Sequence, residues 1–219
     1  MANGSLFGNA ITTYFSFNSR LLFYLIAGFV LATIIGTITH ELGHYVVAKS
    51  LGYNAEINYG STSWTKKPNQ IKKDTDNFCI SAGGPIETMA TGSIGLLLLF
   101  IFRKKFYSAD RLNLLQWVIV FTSLFWLRQT ANFLTWIGGY MITGRFSLRS
   151  DEIILARLLN FPIWSISIVT AFAGILVLTL VVFKFIPALQ RFTFLLAGII
   201  GGIAGYIIWL HLLGPMIMP

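Results

Sequence analysis

Two of the three histidines in this 219-residue chain lie four residues apart, at His40 and His44, with Glu41 between them in the segment T-H-E-L-G-H-Y. On a helix, residues at positions i and i+4 project from the same face. Two imidazoles at that spacing can bind one Zn²⁺, and the adjacent carboxylate can take a proton from a water molecule as a general base. The alternative is a chance group of polar residues in a helix. The spacing therefore predicts a zinc site with a hydrolytic base.

These residues lie near the end of the first of five apolar segments. The chain is 55% hydrophobic and only 11% charged, with a mean hydropathy of +0.72, whereas a soluble domain has roughly 25% charged residues. Each segment is close to or above the ~20 residues that cross a bilayer as a helix. The segments cover residues 21–48, 78–102, 112–137, 161–183 and 192–213. We therefore predict an all-α polytopic membrane protein with about five transmembrane helices, forming a single integral membrane domain over residues 1–219.

The net charge of +8 bears on the partners of the chain. Its basic residues separate the apolar segments and form no stripe interleaved with aromatic residues. We therefore expect them to contact the head groups of the lipid bilayer and expect no nucleic-acid partner. The basic residues divide almost equally between the two sides of the predicted membrane domain, so the positive-inside rule does not decide its orientation.

The depth of the histidine pair limits where a third ligand can come from. With a rise of ~1.5 Å per residue, His40 lies about 28 Å along the helix from Leu21, against a hydrocarbon thickness of ~30 Å. Ionisable groups inside a membrane helix are costly and are generally functional. A third ligand must then come from the 49–77 loop, the start of the second segment, the end of the third, or the 138–160 loop.

The sizeable polar stretch after the histidines has an alternating pattern. Apolar and polar residues alternate from Tyr53 to Gly60, and S-T-S-W-T follows. This alternation predicts a short strand or hairpin just past the histidine pair. The alternative is a solvated, lysine-bearing loop at the level of the head groups.

The segment H-E-L-G-H at the end of an apolar helix, followed by K-S-L-G-Y, resembles the site-2 protease family of intramembrane zinc metalloproteases. The segment S-A-G-G-P at residues 81–85 is similar to the small-residue, Gly-Pro motif that opens the next core helix in that family. The resemblance covers roughly residues 30–155, within a core of about 21–160, and leaves two further helices in 161–213. It implies hydrolysis of membrane-embedded substrate proteins or peptides, Zn²⁺ as cofactor, and a bacterial inner (plasma) membrane with the metal toward the cytosol.

The family's third ligand is an aspartate in a Leu-Asp-Gly segment, and the corresponding stretch here, residues 132–140, has no aspartate. Three candidates lie on the predicted side of the membrane, in the order Asp151, Glu87 and His211. The alternative role of Asp151 is that of a plain capping acid at a helix start, after Ser150.

The other two candidates also have alternative roles. Glu87 lies about ten residues into the second segment. If it is not a ligand, it is expected to be a protonated acid or the partner of Arg128. If His211 is not a ligand, it is expected to be an interfacial or hydrogen-bonded residue near a helix end.

Arg128 and Asn132 lie one turn apart in the third segment, so both should face the protein interior. The resemblance implies that Asn132 lies near the zinc and binds the substrate backbone or an oxyanion. The alternative is interhelical hydrogen bonding. The resemblance also implies that the strand after the histidines pairs with an unwound substrate and so exposes its peptide bonds.

These observations together predict an intramembrane zinc metalloprotease. His40, His44 and Asp151 are the predicted ligands, with Glu87 as the alternative third ligand, and Glu41 is the predicted general base. The competing function is a catalytically silent, protease-like membrane scaffold or chaperone.

Overall fold

The computed structural model of the chain describes residues 16–67 and 74–218. The rest, which includes Lys72 and Lys73 of the predicted polar loop, lies outside the described residues. The described chain is predominantly helical. Its helices are α1 (Ser19–Ser50), α2 (Asp74–Ile101), α3 (Arg103–Tyr107), α4 (Leu114–Ser123), α5 (Leu127–Thr143), α6 (Asp151–Leu158), α7 (Ser165–Leu180), α8 (Ala188–Ile207) and α9 (Gly214–Ile217), and its strands are β1 (Asn54–Asn58) and β2 (Ser61–Thr65).

Within the described ranges, four helices are long and apolar enough to cross a membrane. They are Ser19–Ser50, Asp74–Ile101, Ser165–Phe185 and Ala188–Ile217, the last two including π-helical turns. Their outer faces carry large apolar side chains, such as Phe23 and Phe172, which are 72% and 59% exposed. Lipid solvates such a surface better than water does. The helices therefore indicate a membrane protein.

The third apolar segment differs from the expectation of one uninterrupted helix. It forms α4 and α5, which are joined by a 3₁₀ turn at Leu124–Trp126. The turn and the end of α4 pack directly against α2. A Cβ atom added to Gly92 would lie 2.5 Å from the Trp126 ring of the turn, and one added to Gly95 would lie 2.6 Å from Cα of Ser123, the last residue of α4. The structure thus has four helices of membrane length in its described part, where the sequence predicts about five.

Helices α1 and α2 touch through glycines. A Cβ atom on Gly83 would lie 2.6 Å from the carbonyl oxygen of Gly43, so the two backbones approach as closely as glycine permits. The S-A-G-G-P segment lies inside α2, which begins at Asp74 and contains Pro85 in its interior. The motif provides the contact surface that holds α2 against the histidine-bearing end of α1.

The predicted hairpin is confirmed. Strands β1 and β2 are antiparallel, with Ile57 opposite Thr62. The turn between them is attached to the C-terminal end of the chain, since the Trp209 indole donates to Tyr59 O at 2.8 Å and Tyr59 N donates to Met218 O at 3.1 Å. The hairpin also packs against the end of α1, where the hydroxyl of the buried Thr62 donates a hydrogen bond to Glu41 O at 2.9 Å.

Candidate metal centre

Two helices that are distant in sequence bring three potential ligands together. His40 and His44 lie on a buried face of α1, with 1% and 4% of their surface exposed, and Asp151 is the first residue of α6. Asp151 Oδ2 lies 3.0 Å from His40 Nε2 and 3.3 Å from His44 Nε2, and the two Nε2 atoms are 3.2 Å apart. One ligand atom from each residue therefore faces a common point.

The hydrogen bonds of the outer ring nitrogens fix the tautomers. His44 Nδ1 lies 2.6 Å from the carbonyl oxygen of Ile80, which can only accept, and 3.3 Å from the backbone N of Gly84, which can only donate. The much shorter contact with Ile80 assigns the proton to this nitrogen. The Thr88 hydroxyl donates to Gly84 O and therefore accepts from His40 Nδ1, at 2.9 Å. In the neutral imidazoles both Nε2 atoms then have free lone pairs. Such anchoring of the outer nitrogen is typical of metal-binding histidines.

The donor set and its spacing fit a zinc ion. Ligand atoms at 2.0–2.1 Å from a tetrahedral Zn²⁺ are about 3.3 Å apart, and the three separations here are 3.0, 3.2 and 3.3 Å. Gly84 of α2 closes the site from one side. A Cβ atom at Gly84 would overlap His44 Nε2 and would lie 2.6 Å from His40 Nε2. The site therefore depends on the absence of a side chain at this position.

Asp151 supplies the negative charge of the group. An aspartate carboxyl has an ordinary pKa of about 4 and is therefore ionised at neutral pH. Ser150 is the N-cap residue of α6, and its side chain forms no capping hydrogen bond. Asp151 thus starts the helix and also faces the two histidines.

Glu41 is buried beside the three converging residues and has two polar partners. The Thr62 hydroxyl on β2 lies 3.0 Å from Glu41 Oε2 and 2.9 Å from Glu41 O. Arg128 Nη2 on α5 lies 3.7 Å from Glu41 Oε1. Arg128 therefore pairs with Glu41 and not with Glu87, for which this pairing was one of the alternative roles predicted from the sequence.

The structure does not bring the other two candidate ligands to the centre. Glu87 faces its own helix, where its carboxylate accepts a hydrogen bond from the Thr91 hydroxyl at 2.9 Å. His211 is exposed, and its ring packs against the ring of Tyr206, with the two centroids 5.5 Å apart. The only group of ligand atoms that converges in the described chain consists of His40, His44 and Asp151.

Asn132 forms an interhelical contact. Its Nδ2 atom lies 3.4 Å from Oε1 of the buried Glu152 on α6, which follows Asp151. This long hydrogen bond joins α5 to the helix that carries the third potential ligand. The observed contact corresponds to the interhelical alternative.

Sequence reasoning missed two residues that shape the centre, Thr62 and Thr88, and it singled out Gly84 only as part of the S-A-G-G-P segment. The alternation in S-T-S-W-T places Thr62 and Trp64 on one face of β2, and this pattern could have identified Thr62 as buried. No comparable local signal marks Thr88, because its role depends on the packing of α2 against α1.

These features define a candidate metal centre with two histidines and one aspartate, next to a buried glutamate, in a helical membrane protein. The chain matches no protein-family model, no curated protein and no solved structure.

Proposed function

We propose that the protein is a zinc-dependent intramembrane endopeptidase that hydrolyses peptide bonds of membrane-embedded substrates. His40, His44 and Asp151 would hold the ion. The observation that carries the proposal is the convergence of two imidazole nitrogens and one carboxylate oxygen within 3.0–3.3 Å of one another, beside Glu41. Bound Zn²⁺ would supply a Lewis acid that polarises a peptide carbonyl and makes a water molecule more acidic.

Glu41 is the proposed general base. Its buried carboxylate lies within electrostatic range of His44 and Asp151. It accepts the proton of the attacking water and returns it to the amine of the leaving peptide. Thr62 and Arg128 each contact one of its two oxygens and hold the carboxylate in one orientation. This fixed geometry supports a role in proton transfer.

The hairpin supports a route for the substrate. Thr62 connects β2 to Glu41, and within the described ranges β2 pairs only with β1. A substrate segment that adds to β2 as a further strand would pass the base in extended form. Strand addition would thereby expose a peptide bond that a transmembrane helix hides in its own hydrogen bonds.

The proposal includes a fifth membrane crossing. Helix α4, the 3₁₀ turn and α5 form a continuous run of 10, 3 and 17 residues. At ~1.5 Å per residue this run is about 45 Å long, which exceeds the ~30 Å hydrocarbon layer. The resemblance to site-2 proteases supports a bacterial plasma membrane with the hairpin on the cytosolic side.

The test is cleavage of designed single-span peptides, tagged at both ends, by the purified protein in liposomes. Wild-type protein loaded with zinc is expected to cleave at least one of these peptides. Glu41→Gln should keep its zinc and lose cleavage by at least about a hundredfold, the lower range of general-base contributions. Glu87→Gln is the matched control and should cleave normally. Equal cleavage by Glu41→Gln, or no cleavage by zinc-loaded wild-type protein, would overturn the proposal.

A further inference from the structure

An apolar cavity of about 620 Å³ lies between α1, α4, α5 and α8. It runs beside residues 29–37 of α1, and so toward the bilayer centre from the histidine pair. Its walls include the rings of Phe29, Phe121, Phe125 and Phe194. Pockets that bind small ligands have volumes of about 300–1,000 Å³. The cavity is therefore large enough for one or more bulky apolar groups.

One end of the cavity is formed by polar side chains that also contact the candidate metal centre. Thr88 lines the cavity, and its hydroxyl accepts the hydrogen bond from His40 Nδ1 at 2.9 Å. Arg128 also lines the cavity, with Nη2 3.7 Å from Glu41 Oε1. A peptide chain that passes Glu41 would therefore lie beside one end of the cavity.

Arg128 has an unused hydrogen-bond donor. Its Nη1 atom donates to Thr37 Oγ1 at 3.2 Å, but its Nε atom is buried and has no partner in the part of the chain that the structure describes. A buried donor without a partner is unfavourable, so an acceptor that enters the site gains from this group. A peptide carbonyl supplies such an acceptor, whereas a lipid acyl chain supplies none.

We propose that this cavity is a specificity pocket that receives the large apolar side chains beside the scissile bond, while Arg128 Nε donates to a backbone carbonyl of the substrate. The inference rests on the proposed function. The cavity walls favour aromatic and branched aliphatic side chains. The positive charge of Arg128 disfavours lysine and arginine at the same substrate position.

Cavity-filling variants test the assignment. Gly202 lines the cavity, and a Cβ atom there meets nothing within 4 Å, so Gly202→Leu can add its side chain without a backbone clash. Gly139 has equally open surroundings but does not line the cavity, and Gly139→Leu is therefore the matched control.

The peptides carry Phe, Leu, Ala or Lys beside the cut site. For wild-type protein, kcat/KM should fall by about tenfold to a hundredfold from Phe to Ala, the range that apolar pockets reach. Gly202→Leu should lower cleavage of the Phe peptide by at least about tenfold and leave the Ala peptide within about twofold. Gly139→Leu should change neither value. An unaltered Phe-to-Ala ratio in Gly202→Leu would overturn the inference.

A binding experiment separates this inference from the proposed function. In Glu41→Gln protein, a peptide with a photoreactive benzophenone side chain beside the cut site should cross-link to residues 29–37, and Gly202→Leu should abolish this product. If the peptide cross-linked to the cavity but the wild-type protein did not cleave it, the protease proposal would be overturned, whereas the cavity would still be a binding site for apolar side chains. Cleavage that depends on Glu41, with cross-links elsewhere, would overturn the pocket alone. If Gly202→Leu lost a bound lipid but kept the wild-type preference for the Phe peptide over the Ala peptide, the pocket assignment would also be overturned.

Discussion

Replacing Gly84 by alanine is expected to disrupt the candidate metal centre. In the interior of a helix this change normally stabilises a protein by about 0.5–1 kcal/mol, because alanine restricts the unfolded chain more than glycine does. At Gly84 the new methyl group would overlap His44 Nε2 and lie 2.6 Å from His40 Nε2. The local packing therefore reverses the usual effect of the substitution.

The size of the effect follows from these distances. Ordinary contacts of a Cβ atom begin at 3.4 Å, so the His40 ring must move by about 0.8 Å to accommodate the methyl group. Metal–ligand distances tolerate deviations of roughly 0.2 Å. Withdrawal of α2 instead would separate His44 Nδ1 from Ile80 O and release the second ring. We therefore expect the zinc affinity of Gly84→Ala to fall by at least about tenfold to a hundredfold, as when the outer support of a ligand is removed.

The measurement is zinc content by mass spectrometry and zinc affinity by competition with a chromogenic chelator. Gly139→Ala, where the added Cβ atom meets nothing within 4 Å, is the control and should bind zinc like the wild type. Monodisperse elution in detergent would show that both variants fold. If folded Gly84→Ala bound one zinc ion per chain with wild-type affinity, the assignment of the ligand atoms to this point would be refuted.

Three further predictions address the ligands, the base and the orientation. Asp151→Ala should purify with little zinc, and Glu87→Ala should retain it, because only Asp151 faces the histidines. If Asp151→Ala retained zinc and Glu87→Ala lost it, Glu87 would be the third ligand instead. Thr62→Val should keep zinc but slow cleavage by about tenfold to a hundredfold, the value of a hydrogen bond to a charged group, and Thr62→Ser should restore the rate. In a background lacking the single cysteine, an impermeant thiol reagent on intact cells should label a cysteine placed at Ser108 but not one at Ser63, and the opposite pattern would invert the proposed orientation.

The sequence alone determined the features that depend on local spacing. His40, Glu41 and His44 share one buried face of α1 because the helical repeat fixes the directions of residues three and four apart. The alternation after Tyr53 likewise predicted the hairpin, because successive side chains of a strand point to opposite faces. The lengths of the apolar segments predicted membrane-length helices. They did not reveal the break in the third segment, because that turn depends on contact with the glycines of α2.

Only the tertiary structure decided which distant groups meet these residues. Helix length predicted the same side of the membrane for Asp151, Glu87 and His211, but only the packing of α6 against α2 brings the Asp151 carboxylate to the histidines. The partners of Glu41 were equally hidden, because Thr62 and Arg128 reach it through the hairpin and α5. Helix rise gives the depth of a residue in the bilayer but not the direction in which it faces. That direction is set by the contacts between helices, and here by glycines that let their backbones touch.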